Sequence, residues 1–394
     1  MSDHRTCRVC EQPLSEPIYR SATEISLTSL CEIRRERTIV HFCPHCGHLQ
    51  TAALADLGEY YDQNYKILLD SEDEDQLYGI VDGRRIFRTE HQVATLLAKV
   101  PLAPGARVLD YGCAKASTLR RLAETRPDIE PHVLDVSEMY LPYWRRFVRP
   151  ENCACYEPKP EWAGRFDLIT SFFALEHVAE PRALVATVAR LLQPGGHFYC
   201  IVPNVYANAA DLVVADHINH FSAPSLRRLL HDAGLEVTSL DEHSHTSAWV
   251  LVARKQNPAA AAGRPAVASP FADAALPALH AQAREMAAYW RDFADQVRAF
   301  EREQAGAAKV AIYGSGFYGT FIATCLRQPE KVVCFLDRNP HRQRQRLLDK
   351  PILAPEQLPA DIAVVYVGLN PRLARAGIAE VAAWHGKPHH YFFA

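Results

Sequence analysis

No run of apolar residues in this chain reaches the ~18 needed for a helix to cross a membrane, so no membrane role is expected. The opening Met-Ser-Asp-His-Arg holds no apolar segment of the kind that directs secretion, and the expected location is the cytoplasm. Neither sign of charge is in excess. The 43 Lys and Arg against 46 Asp and Glu leave a formal charge of -3, which argues against a protein that coats nucleic acid. No Gly-Lys-Ser or Gly-Lys-Thr follows the turn near residue 112, so a phosphate-gripping P-loop is excluded there. What remains is a chain of 394 residues, long enough for two or three domains with real cores.

The most informative segment is Arg107-Val-Leu-Asp-Tyr-Gly-Cys-Ala-Lys-Ala-Ser-Thr-Leu119. A short apolar strand ends in an acid, passes through small residues and opens a helix. Such a turn lets the backbone approach a nucleotide-like cofactor, because a bulky side chain would hold the ligand away. A second strand, Pro131-His-Val-Leu-Asp135, ends in an acid suited to accept from ribose hydroxyls. An acid inside the turn repels pyrophosphate but tolerates a ligand of net positive charge, such as S-adenosylmethionine (SAM).

These residues resemble motif I and the acidic second strand of class I SAM-dependent methyltransferases. The resemblance implies that Asp110 and Gly112 line the methionine and ribose end and that Asp135 holds the ribose, with Tyr111, Ala114 and Phe173 as further cofactor contacts. It continues downstream. Arg165 to Phe173 reads as the fourth strand, and Ala174-Leu-Glu-His-Val178 matches the family's segment beside the sulfonium. Pro181 to Gln193 reads as a helix stopped by Pro194-Gly-Gly196, and His197 to Pro203 as the fifth strand. Gly234 to Leu240 and Ser247 to Ala253 read as a closing hairpin. Ala114 and Ala116 stand where the family usually has glycine, which leaves a non-catalytic domain as an alternative.

Of the 11 cysteines, Cys7-Arg-Val-Cys10 and Cys43-Pro-His-Cys46-Gly47 form two Cys-x-x-Cys knuckles. Four thiolates would close a tetrahedral structural Zn2+ site, with redox pairs or a nucleic-acid-binding zinc ribbon as alternatives. The nearby Cys31, His41, His45 and His48 are expected to be surplus to it. Leu54 to Val100 reads as helical and tyrosine-rich (Tyr60, Tyr61, Tyr65, Tyr78), either packing or a lid over the cofactor. Ser71-Glu-Asp-Glu-Asp75 reads as a solvated turn or helix start, and residues 257–270 as an alanine- and proline-rich linker. A helix then carries Met286, Tyr289, Phe293, Val297 and Phe300 on one stripe, expected to pack on a neighbouring domain. Lys309 to Thr320 opens a second nucleotide-binding-type unit. Its Gly314, Gly316 and Gly319 form a Gly-x-Gly-x-x-Gly turn, Val332 to Asp337 a second strand ending in an acid, and Ala363 to Gly368 a third. With only ~85 residues, this is expected to be half a dinucleotide fold, either a site for one nucleotide or a vestigial scaffold rather than a complete NAD site.

The order of parts resembles the sugar C-methyltransferase family that acts on nucleotide-linked keto-sugars. The expected fold class is therefore α/β, in five parts. These are a zinc-knuckle domain at 1–55, a helical connector or lid at 56–100, and a class I methyltransferase with a seven-stranded doubly wound sheet at 101–255. A linker and helix occupy 256–306, and a half-Rossmann-like domain that helps hold the substrate nucleotide occupies 307–394. In Val214-Ala-Asp-His-Ile-Asn-His-Phe-Ser222, the resemblance makes His217 the base and puts Asp216 in place of the glutamate that orients it. His177 matches a second active-site histidine. Chemistry independently asks for such a base, since the acceptor must lose a proton and a histidine near neutral pKa suits a hydroxyl or a carbon acid beside a ketone. Asp216 has an alternative role as a turn cap. His220 would share a helical face with His217 and is expected to be structural, while Glu176 would contact the cofactor region or end the strand. The expected partner is a small molecule, a nucleotide sugar first, with no catalytic metal. A His-x-x-x-Phe-Ser element is also widespread among class I enzymes that alkylate oxygen or nitrogen. Oxygen or nitrogen of a sugar or natural product is therefore the alternative acceptor, and a NAD-dependent oxidoreductase built on Gly314 to Gly319 is the alternative from another class.

Overall fold

The computed structural model describes residues 6–54, 56–64, 75–256 and 274–393. Tyr65, residues 71–74 and the linker at 257–270 lie outside them. The chain divides into a first unit (1–18, 39–211 and 216–283) and a second (19–38, 212–215 and 284–394).

In the first unit, β1 (Ile39–Phe42) and β2 (Leu49–Thr51) pair antiparallel around Cys43 to Cys46. The knuckle closes by Gly47 N–H donating to Cys43 O (2.9 Å), with Gly47 at φ +72°. The expected helical stretch to residue 100 is corrected in its middle. Among the described residues of this stretch, Leu57–Glu59, Tyr60–Asn64 and α1 (Arg88–Lys99) are helical, and β3 (Leu77–Val81) and β4 (Arg84–Phe87) form a hairpin. The reason is local. Asp82-Gly83, at φ 49° and 77°, is a type I′-compatible pair that matches the twist of two flanking strands.

The seven-stranded sheet follows in order: β5 (Arg107–Tyr111), α2 (Ser117–Thr125), β6 (Glu130–Asp135), β7 (Cys153–Cys155), β8 (Phe166–Phe172), α3 (Pro181–Leu191) and β9 (Leu192–Pro203). After the short β10 (Asn219–His220), which pairs with β2, come α4 (Ala223–Asp232), β11 (Leu235–Asp241) and β12 (Ala248–Lys255). The spatial order is β7-β6-β5-β8-β9-β12-β11. All neighbours run parallel until β12, which is antiparallel to both β9 and β11. The sheet is thus mixed and has the expected seven strands, β7 being the third strand that the sequence left unplaced, and the expected hairpin is present. β5 lies where the winding reverses, so its carboxyl end opens the crevice typical of such sheets.

Apolar clusters cover both faces. One joins Ile169, Val185, Phe198 and Leu229 to Val9 and the four knuckle cysteines, so the N-terminal knuckles share the sheet's core instead of forming their own. The other contains Leu119, Trp144, Leu168 and Tyr199.

The second unit holds most of α5 (Leu276–Glu303), then β13 (Val310–Tyr313), α6 (Phe317–Cys325), β14 (Val332–Leu336), β15 (Arg346–Leu347), β16 (Lys350–Leu353), β17 (Val364–Val367), α7 (Pro371–Ala379) and β18 (His390–Phe393). Its strand order is β15-β16-β14-β13-β17-β18, parallel except at β15. The sheet extends to both sides of β13, so it exceeds the expected half-fold. Short 3-10 turns replace some of the helices, which is how so few residues accommodate five parallel strands. The stripe on α5 packs as expected: Phe293 contacts Phe321 and Phe392, and Phe300 contacts Tyr366.

Candidate functional site

The crevice is built by backbone that most side chains avoid. Gly112 (φ +72°), Ala114 (+45°), Ala116 (+56°) and Phe173 (+54°) are all left-handed at the carboxyl ends of β5 and β8. Left-handed backbone costs a non-glycine residue ~1–2 kcal/mol, and such strain collects at functional sites. A Cβ on Gly112 would sit 2.8 Å from Ala174 Cβ, so only glycine fits there.

Two buried acids frame the turn. Asp110 accepts from Thr170 Oγ1 (2.9 Å), and burial pushes its pKa up to about 7 despite that bond. Asp135 Oδ2 accepts from Ala114 N–H (2.7 Å). Burial raises its pKa to about 6, against the opposing donors Ala114, Val136 and Ser137. Trp144 Nε1–H donates to Ala114 O (2.7 Å), fixing the turn from the other side. The Arg88 guanidinium lies 3.9 Å over the Phe173 ring, and Tyr111, partly buried, joins the core beneath. Asp110, Gly112, Ala114, Asp135 and Phe173 therefore gather at the carboxyl ends of β5, β6 and β8, while the Tyr111 ring packs against the apolar cluster. Carboxyl groups held near neutrality by burial fit a ligand that brings its own positive charge, as SAM does.

A second cluster follows β8. Leu175–His177 is a 3-10 turn, and His177 Nδ1 lies 2.9 Å from Asp216 O and 2.5 Å from the Tyr61 hydroxyl. A carbonyl only accepts, so Nδ1 carries the proton; Tyr61 in turn reaches Asp216 Oδ2 (3.4 Å). The His177 and His217 rings meet edge to face at 4.8 Å. The carboxylate bonded to His217 is Asp211, in the turn Ala209–Val213, with Oδ1 2.5 Å from Nδ1. Asp216, the expected orienter of His217, binds the His177–Tyr61 side instead. The expected helical face for His217 and His220 is also absent, because His220 belongs to β10. Its Nδ1 takes the other Asp211 oxygen (2.9 Å) and its Nε2 lies 3.1 Å from Thr51 Oγ1, a fully buried structural role.

These contacts separate the two histidines electrically. Burial and the neighbouring His217 charge pull His177 down to about 4. Burial also works against charge on His217, yet Asp211, Asp216 and Glu176 outweigh it and raise its pKa to about 9. Asp211 is correspondingly held well below the usual carboxylate range, its histidine partners overcoming burial. Glu176, fully buried, is pushed up to about 8 by desolvation. Asp211 and Tyr61 in these roles escaped the sequence reading. The only signal for Asp211 is an acid six residues before the motif histidine, which no local periodicity singles out.

The four knuckle thiols also converge. Cys7 and Cys46 Sγ are 3.6 Å apart, Cys10 and Cys43 3.5 Å, and all four lie within 4.8 Å of one another without a disulfide. A zinc tetrathiolate with ~2.3 Å bonds has sulfur–sulfur edges of ~3.8 Å, so the donor set fits that ion. Among the described residues, Cys31, His41, His45 and His48 are not part of the cluster.

In the second unit the three glycines of the turn differ. A Cβ on Gly314 would meet Gly368 O at 2.2 Å, and one on Gly319 would meet Gly314 O at 1.9 Å, whereas Gly316 has nothing within 4 Å. Asp337 accepts from Ser315 N–H (3.2 Å), Ser315 Oγ (2.5 Å) and Asn339 N–H (2.9 Å), while Arg342 donates to Ser315 O (2.7 Å).

A family model described as a methyltransferase domain matches residues 84–240. The chain is 28% identical over 183 residues to a ubiquinone biosynthesis O-methyltransferase of Thiobacillus denitrificans, covering 40% of this chain and 78% of that one. A protein of the same name from Aromatoleum aromaticum is 32% identical over 155 residues, 34% of this chain and 66% of its own length. A Burkholderia thailandensis 1,6-didemethyltoxoflavin-N1-methyltransferase, solved with S-adenosylhomocysteine, aligns at 21% identity over 43% of this chain and 78% of that one, with a TM-score of 0.34. No helix among the described residues is long and apolar enough to cross a membrane. With the matched segment running from β4 into β11 and so containing the crevice, the chain carries a class I SAM-dependent methyltransferase domain and is a SAM-dependent methyltransferase.

Proposed function

We propose that the acceptor is a small molecule whose accepting atom first loses a proton, and that carbon beside the ketone of a nucleotide-linked keto-sugar is the first choice. The observation that carries this reading is the histidine pair of opposite charge preference, 4.8 Å apart. A carbon acid beside a carbonyl needs two groups, one to take the proton and one to receive the oxyanion. His177 Nε2, neutral near pH 7, takes the proton, held in its tautomer by Asp216 O and Tyr61. His217, kept cationic by Asp211, faces the enolate oxygen. Both assignments depart from the sequence expectation that His217 is the base. When bound, SAM supplies the electrophilic methyl and leaves as S-adenosylhomocysteine. Asp110, Gly112, Ala114 and Asp135 would hold it, with Tyr111 and Phe173 beside them.

Gly316 and Arg342 are the residues of the second unit suited to a substrate phosphate, one by its open backbone and the other by its charge. A complete NAD site is disfavoured, because Asp337 already accepts two hydrogen bonds from Ser315 of the glycine turn and one from Asn339. Cys7, Cys10, Cys43 and Cys46 are proposed to hold a structural Zn2+ that braces the knuckles against the sheet's core. The five-part division of labour along the chain belongs to the same reading.

A second reading, transfer to a hydroxyl, is supported by the O-methyltransferase names of the relatives. Incubation with keto-sugar nucleotides in deuterated water without SAM separates the two. Exchange at the α carbon, lost in His177→Gln, is expected. No exchange with any keto-sugar, alongside label transfer from SAM to a hydroxyl acceptor, would overturn carbon in favour of oxygen. Asp211→Asn is expected to slow methyl transfer about 10²–10⁴-fold in either case.

A further inference from the structure

Glu176 is 1% exposed, and its Oε2 has no hydrogen-bond partner. A carboxyl group withdrawn that far from water either stays protonated or ionises against a bound cation. Its Oε1 lies 4.0 Å from His177 Nε2, too far for a hydrogen bond. Both neighbouring rings are turned the same way. His217 commits Nδ1 to Asp211 and His177 commits Nδ1 to Asp216 O, so Nε2 of each is the nitrogen directed to a ligand. One ligand atom from each of Glu176, His177 and His217 lies within 4.8 Å of the others. Imidazoles oriented through Nδ1 by a carboxylate or carbonyl are the usual arrangement around a bound metal, and two imidazoles with one carboxylate suit divalent first-row ions.

We infer that Glu176, His177 and His217 form a metal site, separate from the cysteine cluster, for a divalent transition ion that keeps open positions for an acceptor oxygen. Bound there, the ion would replace the His217 proton as the positive charge beside that oxygen. With the ion bound, His177 Nε2 is a ligand and no longer the base of the proton-transfer reading, so the inference replaces that step in the metal-loaded protein. Deuterium exchange in the metal-free protein tests the proton-transfer reading, and either can fail alone.

The test uses the full chain with its cysteines saturated with zinc. Mn2+ is titrated and followed by electron paramagnetic resonance, and Co2+ by visible absorption. One Mn2+ per chain is expected, and one Co2+ with weak d–d bands and no thiolate charge-transfer absorption. Glu176→Gln and His217→Gln should each weaken binding about tenfold or more. S-adenosylhomocysteine binding by calorimetry identifies folded variants, with His177→Gln as a third arm should either variant lose it. Absence of Mn2+ and Co2+ binding, Co2+ spectra carrying thiolate bands alone, or affinities unchanged in folded variants would each overturn the inference.

Discussion

At residue 110 and again at residue 314 a buried strand runs into a turn and a helix, and the following strand ends beside an aspartate, Asp135 in the first unit and Asp337 in the second. The first turn contains an acid and is edged by alanines forced into left-handed backbone. Its two carboxyl groups are buried and held toward neutrality. The second turn has no acid. Its outer glycines are spent on backbone-to-backbone packing, its middle glycine is open, and an arginine stands against its serine. One topological device thus frames two different electrostatic settings, a pair of buried acids in one place and an arginine beside an open glycine in the other. Polar chemistry at the turn, rather than strand order, makes the difference.

Substitutions can break this contrast. Gly319→Ala places a methyl 1.9 Å from a carbonyl oxygen and should cost about 3 kcal/mol or more in the second unit. Gly316→Ala should leave stability unchanged, and hydrogen exchange across β13–β18 would separate the two outcomes. In the first turn, Asp135→Asn is expected to weaken SAM about 10–100-fold by calorimetry, the worth of a charge-assisted hydrogen bond. A subtler signature is protonic. Asp110 and Asp135 have folded pKa values near 7 and 6, above the ordinary carboxylate value, so their contribution to stability is full below about pH 4 and is lost as pH rises through 6–7. A cation favours the ionised forms. SAM affinity should therefore climb between pH 5.5 and 8, with proton release in calorimetry, and a flat profile would contradict the role of these acids. Smallest is Ala114→Gly. Relief of left-handed strain, partly offset by the freer unfolded chain, should stabilise the protein by less than about 1 kcal/mol in a thermal melt.

Much of the crevice was legible because its chemistry is consecutive. Asp110, Gly112 and Ala114 occupy one turn, and Asp135 ends the neighbouring strand. The paired cysteine spacing likewise announced four thiols meeting. The β3–β4 hairpin was legible too, through Asp82-Gly83, but the tyrosine-rich setting read as helix. The partners of the histidines were not legible. Asp216 adjoins His217 in sequence, yet from its place in a turn its carboxylate faces Tyr61 and His177, and the carboxylate that bonds His217 is Asp211.

By itself, then, the amino-acid sequence determined the strands, the turns that need glycine or tolerate alanine, and the acids placed at strand ends, since each depends on neighbours within a few residues. Tertiary structure alone decided which histidine is charged. That charge depends on Asp211 and Glu176 meeting His217 and on the burial of His177 beside it. Burial then magnifies these few contacts, because low dielectric turns a choice of hydrogen-bond partner into a large separation of pKa values.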